Sequence, residues 1–546
     1  MATNTPLQCE VIVTGAGPVG LSLALELGQQ GIRCIVLEAQ AREGLAPRAK
    51  TTNVRSRELM RRWGIAGQLA AEAPFGIDFP SNVVFATSLF GTELARFENA
   101  FACSPERDER FSEHAQWVPQ YKVEKVLRQA ALATGRVTLL HPARLLDFTQ
   151  DHEAVTATVE TGLAATRQTL RARFLVGADG ARSTVRERLQ IPMHGQSPLG
   201  QHRAFIFRSP GLQKRHALGD AIMFWMVQAR APSTVAPLDQ GDLWTFGLQR
   251  AIAEQADPVE LIRAAVGSNI PVDVQSVDDW TAHQLIAERY RHGRVFLAGD
   301  ACHLHPPFGG HGMNMGIGDA VDLGWKLAAV IRGWGGPALL ESYEIERRQV
   351  HQRVVDEAVA NHRLLSSSYF SPLLDQTGPE ADAVRATTRQ AILTGKSPEF
   401  RSLGVVIGYH YEASPVIVRE AADTPPRDPR PNYEASARPG CRAPHMWLSE
   451  GKGHGASLFD HFSIDRPTLL ITRPDHAISA SQWQSAAAAV GVPLSVIAPQ
   501  APSIRDRFGA DFVLIRPDHH VGWRGDDVAA GSRALARVAG HRPLTH

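Results

Sequence analysis

The chain has 546 residues with 57 Lys plus Arg against 56 Asp plus Glu, a formal net charge of +1 that excludes a strongly basic nucleic-acid binder and an acidic solvating tail. A hydrophobic fraction of 44% with 21% charged residues is that of a folded globular chain, and at about 150 residues per domain the length suits roughly three or four units. No apolar run approaches the ~20 residues of a membrane helix and residues 1–8 carry no basic-then-apolar leader, so a cytoplasmic protein acting on small molecules, without nucleic acid or membrane, is expected.

Residues 9–14 (CEVIVT) are a short apolar run that enters glycine, residues 18–30 carry leucine at 21, 23, 25 and 27 as a buried helix does, and residues 33–38 (RCIVLE) return as a second buried strand. Strand, glycine turn, helix and strand make a parallel βαβ unit with a right-handed crossover. A helix is predicted over 121–134, alternating strands over 137–146 and 154–160, and a buried strand over 174–180 (FLVGADG) that continues the sheet. Aromatic-rich runs at 204–208, 221–227 and 243–250 predict an antiparallel layer laid over it. Residues 294–298 (RVFLA) are again a buried strand, followed by a glycine-rich stretch over 299–318, a helix from about 320 to 332 and helical sequence to about 393. Prolines gather over about 414–444, which predicts an extended connector and a domain boundary. Strands at 468–472 and 512–515 alternate with helical patterns at 482–490 and 529–538, as in a small α/β domain. The five cysteines form no CxxC pair, so reduced, buried thiols are expected, with neither a disulfide scaffold nor a metal site.

Gly15, Ala16, Gly17, Pro18, Val19 and Gly20 (GAGPVG) stand between the first strand and its helix. Missing side chains there let a pyrophosphate approach the backbone, and the helix start offers N–H donors. Glu38, followed by Ala39, ends the next strand eighteen residues after Gly20. A carboxylate at that place accepts from both adenosine ribose hydroxyls and repels a 2′-phosphate, which favours FAD or NAD over NADP.

Two distant motifs separate those cofactors. Residues 177–186 (GADGARSTVR) contain Asp179, and residues 299–314 (GDACHLHPPFGGHGMN) contain Asp300 and a glycine-rich run. With GAGPVG, and in this order, they resemble the DG and GD motifs of the FAD-dependent aromatic hydroxylases, single-component flavoprotein monooxygenases of the para-hydroxybenzoate hydroxylase fold. Within these, the phenol and 3-(3-hydroxyphenyl)propionate hydroxylase type is the nearest in pattern. The resemblance spans about residues 9–415 and extends to 516–524 (RPDHHVGWR), which resembles the ending of the thioredoxin-like domain that several members carry.

The resemblance implies an α/β fold: a Rossmann-like FAD-binding domain with a helical extension over 1–190 and 285–415, an inserted antiparallel-sheet substrate domain over 191–284, a linker over 416–444 and a thioredoxin-like domain over 445–546. It implies NAD(P)H- and O2-dependent hydroxylation of a phenolic or other activated aromatic substrate through C4a-hydroperoxyflavin, with FAD bound, NADH or NADPH as a transient co-substrate, and a homodimer as the candidate assembly. Asp300 then suits a flavin ribityl hydroxyl, and the N–H groups at Gly312, Met313 and Asn314 suit negative charge at flavin N1 and O2. Asp179, Arg48, Arg55, Glu58 and Gln120 match family positions near the pyrophosphate and ring, the last four also readable as solvated side chains. The backbone at Pro306 falls at the flavin's reactive edge, with Pro307 beside it on the substrate side. Two positions depart from the family run: Cys302 in place of alanine reads as a small apolar group, and His311 in place of glutamine alters the flavin's polar surroundings.

Phe205, Met223, Trp225 and Phe246 of the antiparallel layer offer surface to clamp a planar ring, with core packing as the competing reading for at least half of the layer's large side chains. His202 and Arg203 are candidates to assist phenol deprotonation or bind an acidic group, and Arg208 shares that reading. His519 and His520 read as solvated, and the C-terminal domain as structural or oligomer-forming, since it lacks the CxxC of thiol redox work. The alternative chemistry is epoxidation or Baeyer–Villiger-type oxygenation of a polycyclic or polyketide substrate. Halogenation is disfavoured by the missing WxWxIP motif, and a flavin-binding redox sensor or scaffold by the near-complete GD motif.

Overall fold

The structure, a computed structural model, describes residues 8–40, 49–76, 78–411, 413–420, 430–449, 455–473, 480–501 and 503–541. Strand Cys9–Thr14 lies at the centre of an eight-stranded sheet, parallel to Cys34–Leu37 on one side and to the end of Thr166–Gly177 on the other. Val137–Leu140 and Val295–Leu297 extend this parallel core outward. The hairpin Ala143–Gln150 with Val155–Thr161 attaches antiparallel to the free half of Thr166–Gly177. Burial on both faces explains why these strands read as continuous apolar runs.

Helix Pro18–Gln29 packs on helix Gly312–Ile331, which begins eight residues before the start expected at 320. Gly312, Gly316 and Gly318 masked the helical signal, because glycine is a poor helix former. Packing demands it: a Cβ on Gly316 would overlap Val19, and one on Gly324 would lie 2.5 Å from Glu26 Cγ.

A second eight-stranded sheet runs in the order His303–Leu304, Asp273–Ala287, Met193–Arg208, Leu243–Gln249, Ser233–Pro237, Met223–Met226, Val83–Ala86 and Glu93–Phe97. Two of its strands precede residue 191, so the expected boundary does not separate the sheets. Val83–Ala86 crosses early and pairs in parallel with Met223–Met226. One face of this sheet packs under helix Pro258–Val266 and the other under helix Pro379–Phe400.

The C-terminal sheet has the order Ser495–Ile497, Thr468–Ile471, Phe512–Ile515, Val521–Gly525, parallel in the first pair and antiparallel in the others, with helices Ala480–Ala489 and Val528–Val538. This is a thioredoxin-like arrangement. The described part of the proline-rich connector is packed, with Val416, Ile417, Ala443 and Arg442 all buried. Docking of the domain combines an apolar cluster, in which Trp325, Trp334 and Leu339 meet Trp483, Leu535 and Ala539, with a buried ionic joint. Arg516 donates to Glu346 at 2.7 and 2.8 Å, to Asp322 at 3.1 Å and to Asp518 at 2.6 and 3.1 Å, while Lys326 bridges Asp322 and Glu346. His519 and His520 therefore do not face solvent as their sequence suggested. Both are 1% exposed, because their turn lies inside this joint.

All five cysteines are buried free thiols. Among the described residues no helix is long and apolar enough to cross a membrane.

Candidate active site

The glycine turn is built for close approach. Gly15 has φ +94°, and a Cβ on it would overlap the Ala178 carbonyl of the DG motif, while one on Gly20 would overlap the Gly15 carbonyl. Pro18 follows the extended Gly17 at the first helical position, where its missing N–H costs nothing. Glu38 accepts from the Ala16 N–H at 2.7 Å and the Gln40 N–H at 2.9 Å, one bond per oxygen, so each oxygen keeps lone-pair capacity for a ribose hydroxyl.

Asp179 is occupied within its own motif. It accepts from the Ser183 hydroxyl at 2.5 Å and the Val185 N–H at 3.2 Å, bracing helix Thr184–Arg188 beside Gly15, and burial raises its pKa against these bonds. Arg186 then ties the two distant motifs together, donating to the Ala301 carbonyl at 3.1 Å and the Ala181 carbonyl at 2.9 Å.

Strand Val295–Leu297 delivers Gly299 at φ +63°, where a Cβ would meet Val19 at 2.8 Å, and presents Asp300 on the exposed side. The chain then passes Pro306, buried, and Pro307, exposed, through left-handed Gly309 and Gly310 into the helix start. The N–H groups of Gly312, Met313 and Asn314 have no intrahelical acceptor there, as at any helix start. The Asn314 side chain is committed to the protein: it accepts from the Asn53 N–H at 2.9 Å and donates to the Thr51 and Gly310 carbonyls at 2.8 and 2.7 Å. It staples the loop and leaves the backbone N–H groups to meet a ligand.

His305 and His311 flank this helix start with rings 6.5 Å apart. Burial pushes them down to about 3 and about 4, so both are neutral at physiological pH, and their Nε2 atoms have no partner among the described residues. Neutral imidazoles leave the positive end of the helix uncrowded by a second cation.

Two expected neighbours of the cofactor face elsewhere. Arg55 donates to the Asp518 carbonyl at 2.5 Å and Glu58 pairs with Arg442, both inside the joint with the C-terminal domain. Gln120 opens helix Gln120–Ala133, its side chain donating to Glu124 at 2.9 Å and its N–H to the Ala49 carbonyl. Arg48 lies outside the described residues.

The second sheet splits the substrate candidates between its faces. Met223 and Trp225 belong to the aromatic cluster under helix Pro379–Phe400, with Trp225 stacked 5.3 Å from Phe85 and 6.1 Å from Phe308 of the glycine-rich loop. Phe205 and Phe246 pack 5.9 Å apart on the opposite face, in the core under helix Pro258–Val266. They are core residues because strand alternation turns them away from the loop. His202 stacks on Trp280 at 4.2 Å and lies 5.9 Å from His362, which is itself 5.3 Å from Phe308. Burial pushes His202 down to about 4. Arg203, one residue on, turns to the other side and forms a two-bond ion pair with Asp279 at 2.6 and 2.9 Å, so the structure does not bring it to the loop. Arg208 is exposed. The sequence reading gave no role to Phe308, although it lies in the GD motif, and missed Phe85, His362, Tyr369, Lys396, Glu399 and Phe400, which reach this face from an early strand, two helices and a short 3-10 turn that carry no motif.

The family model described as FAD binding domain matches residues 8–358, and that described as aromatic-ring hydroxylase, C-terminal, matches residues 436–542. The chain belongs to the FAD-dependent aromatic-ring hydroxylases. This hydroxylase is 31% identical over 563 residues to 4-methyl-5-nitrocatechol 5-monooxygenase of a Burkholderia species, covering 98% of this chain and 97% of the relative. It is 30% identical over 588 residues to phenol 2-monooxygenase of a Pseudomonas species, covering 97% and 92%. Among solved structures it superposes on the rebeccamycin biosynthetic enzyme RebC with reduced flavin (TM-score 0.88, 32% identity, 98% of this chain and 100% of that one). It also superposes on aklavinone-11 hydroxylase with FAD and aklavinone (TM-score 0.81, 29% identity, 98% and 100%). The hydroxylase is an FAD-dependent monooxygenase, and its glycine turn, Glu38, Asp300 and the helix-start N–H groups, which have no acceptor among the described residues, are donors and acceptors that fit that cofactor.

Proposed function

We propose that the hydroxylase uses NADH or NADPH and O2 to hydroxylate a phenolic or otherwise activated aromatic ring held against the aromatic face that Met223 and Trp225 form with Phe308 of the loop. The observation that carries this is the 6.1 Å approach of Trp225 to Phe308, in the loop that runs directly into the helix start at Gly312. Bound FAD supplies hydride acceptance from the nicotinamide and activation of dioxygen. The turn from Gly15 to Gly20 holds the pyrophosphate against the helix start, Glu38 beside Ala39 holds the ribose, and Asp300 holds the ribityl chain. The N–H groups of Gly312, Met313 and Asn314 stabilise negative charge on the ring side, and the Pro306–Pro307 turn brings substrate and ring edge together. The aromatic face excludes water from the reacting carbon and fixes the ring plane. The phenol-named relative supports the substrate class.

Anaerobic stopped-flow reduction by NADH and by NADPH, with phenols, hydroxylated aromatic acids and larger polycyclic phenols, tests this reading. One class of compound should speed flavin bleaching by about tenfold or more, and oxygen should then yield a product with one added oxygen atom. Flavin that stays oxidised with every donor and compound sinks it.

A further inference from the structure

Three polar atoms on the segments that close the aromatic face lack partners. Asn361 Nδ2, His362 Nε2 and the Tyr369 hydroxyl are shielded from solvent with no hydrogen-bond partner among the described residues, and Asn361 is 3% exposed. Each therefore keeps hydrogen-bonding capacity that a ligand oxygen could use.

An ion pair stands beside them. Lys396 and Glu399, one turn apart on helix Pro379–Phe400, are 0% and 3% exposed. Lys396 Nζ donates to Glu399 Oε2 at 2.7 Å and to the Asn361 carbonyl at 3.3 Å. The ammonium lies 4.3 Å from the Trp225 ring centroid and 5.5 Å from that of Phe308. The other Glu399 oxygen accepts the Gly309 N–H at 3.3 Å, in the loop that leads to the helix start. As a stabilising device this pair is poor, since two charges are stripped of water for one another's sake where apolar side chains would pack as well. Burial raises the pKa of Glu399 against the opposing pull of Lys396 and the Gly309 N–H, and pushes the Tyr369 phenol up to about 12. The titratable groups facing the pair from neighbouring segments are His362 and Tyr369, with His202 behind His362 on the sheet.

We propose that Lys396 and Glu399 are the oxygen-binding end of the aromatic site, taking up a neutral phenol and holding it as phenolate. This rests on the reading above for where the ring lies. The phenol O–H bond breaks, the proton passes to Glu399, which becomes a neutral carboxylic acid, and the phenolate oxygen replaces the carboxylate as counter-ion of the Lys396 ammonium. Net charge is zero before and after, so no uncompensated charge is left among the aromatic rings. Ionisation pushes electron density into the ring, which activates it toward an electrophilic oxygen. The Asn361 amide and Tyr369 hydroxyl remain to hold a second oxygen substituent.

A nitrophenol reports its own ionisation. The FAD-loaded full chain is titrated with 4-nitrophenol and with a nitronaphthol, at a pH well below each probe's pKa in water and without NAD(P)H, and difference spectra are recorded. The wild type should hold the bound probe as its coloured anion, and the ratio of ionised to neutral bound probe should fall by about tenfold or more in Lys396→Met. Calorimetry in two buffers of different ionisation heat should show no proton released by the wild type, because Glu399 keeps it. The proposal is overturned if neither probe binds, if the bound probe stays neutral, if the ratio is unchanged in Lys396→Met, or if one proton per probe appears in the buffer. Should Lys396→Met not fold, the wild-type spectrum and proton count decide alone. Since no turnover is read, a protein that ionises the probe but never consumes NAD(P)H keeps this inference and loses the hydroxylase mechanism. A working hydroxylase whose probe stays neutral does the reverse.

Discussion

Trp225 and Phe246 are both large, buried aromatic side chains of one sheet, yet they lie on opposite faces because a strand sends alternate side chains to opposite sides. Trp225→Leu should weaken binding of the aromatic substrate by about tenfold, as loss of one stacked ring in a desolvated site does. Phe246→Leu should leave that affinity unchanged and lower stability by about 1–3 kcal/mol through imperfect packing. Titration of flavin absorbance with substrate and urea unfolding separate the two, and equal affinities in both variants would count against the face assignment. The alternation was legible in the sequence, as was the expectation that half of these residues are core. Which half was not, because the covering helices Pro258–Val266 and Pro379–Phe400 carry no pattern naming the sheet face they choose.

Among elements, the contact of helix Pro18–Gln29 with helix Gly312–Ile331 sets the glycine turn against the loop at Gly299. Val19 fills the space that Cβ atoms on Gly299 and Gly316 would occupy. Gly316→Ala should therefore cost about 1–3 kcal/mol by overpacking and weaken FAD retention, although alanine favours helix. Val19→Ala in the same chain should recover part of the loss, and a double-mutant cycle on unfolding free energies should give a coupling of about 0.5 kcal/mol or more. Additivity would mean the two residues do not share that space. The first strand, turn and helix could be read to within a residue or two because their signals are local: an apolar run, a glycine turn, a proline at the first helical position. The second helix hid its start behind the glycines that its packing requires.

At the scale of the whole molecule, a buried ionic set joins the C-terminal domain to the rest beside an apolar cluster. Arg516 faces Asp322, Glu346 and Asp518, and Lys326 is the other cation of the set. Arg516→Met leaves buried carboxylates uncompensated and should cost about 3–5 kcal/mol, with residues beyond 445 becoming protease-sensitive first. An unchanged urea midpoint would show that apolar contact alone docks the domain. Acid acts on a different set. His311, His445 and His520 are neutral in the fold, pushed by burial from 6.5 down to about 4. Above pH ~6.5 neither folded nor unfolded state binds these protons, and stability is flat with respect to them. As pH falls from about 6.5 toward 4 the unfolded chain takes up protons that the native state refuses, so stability drops by up to about 1.4 kcal/mol per pH unit for each histidine. Thermal unfolding followed from about pH 8 to about pH 5 should show the loss beginning near 6.5, before the carboxylates titrate.

From the sequence by itself came the parallel sheet, the dinucleotide turn with Glu38, the two distant motifs, the thioredoxin-like ending and hence the chemistry. These rest on periodicity, turn geometry and short spacings, which act over a few residues. Tertiary structure alone decided that Arg55, Glu58, His519 and His520 are buried in a joint, that Phe205 and Phe246 turn from the glycine-rich loop while Met223 and Trp225 pack toward its Phe308, and that Lys396 and Glu399 reach the loop at Gly309. Glu58 meets Arg442 across 384 residues and Arg516 meets Asp322 across 194. No local pattern encodes a partner at that distance; only the packed chain, which strips water from each charge, selects it.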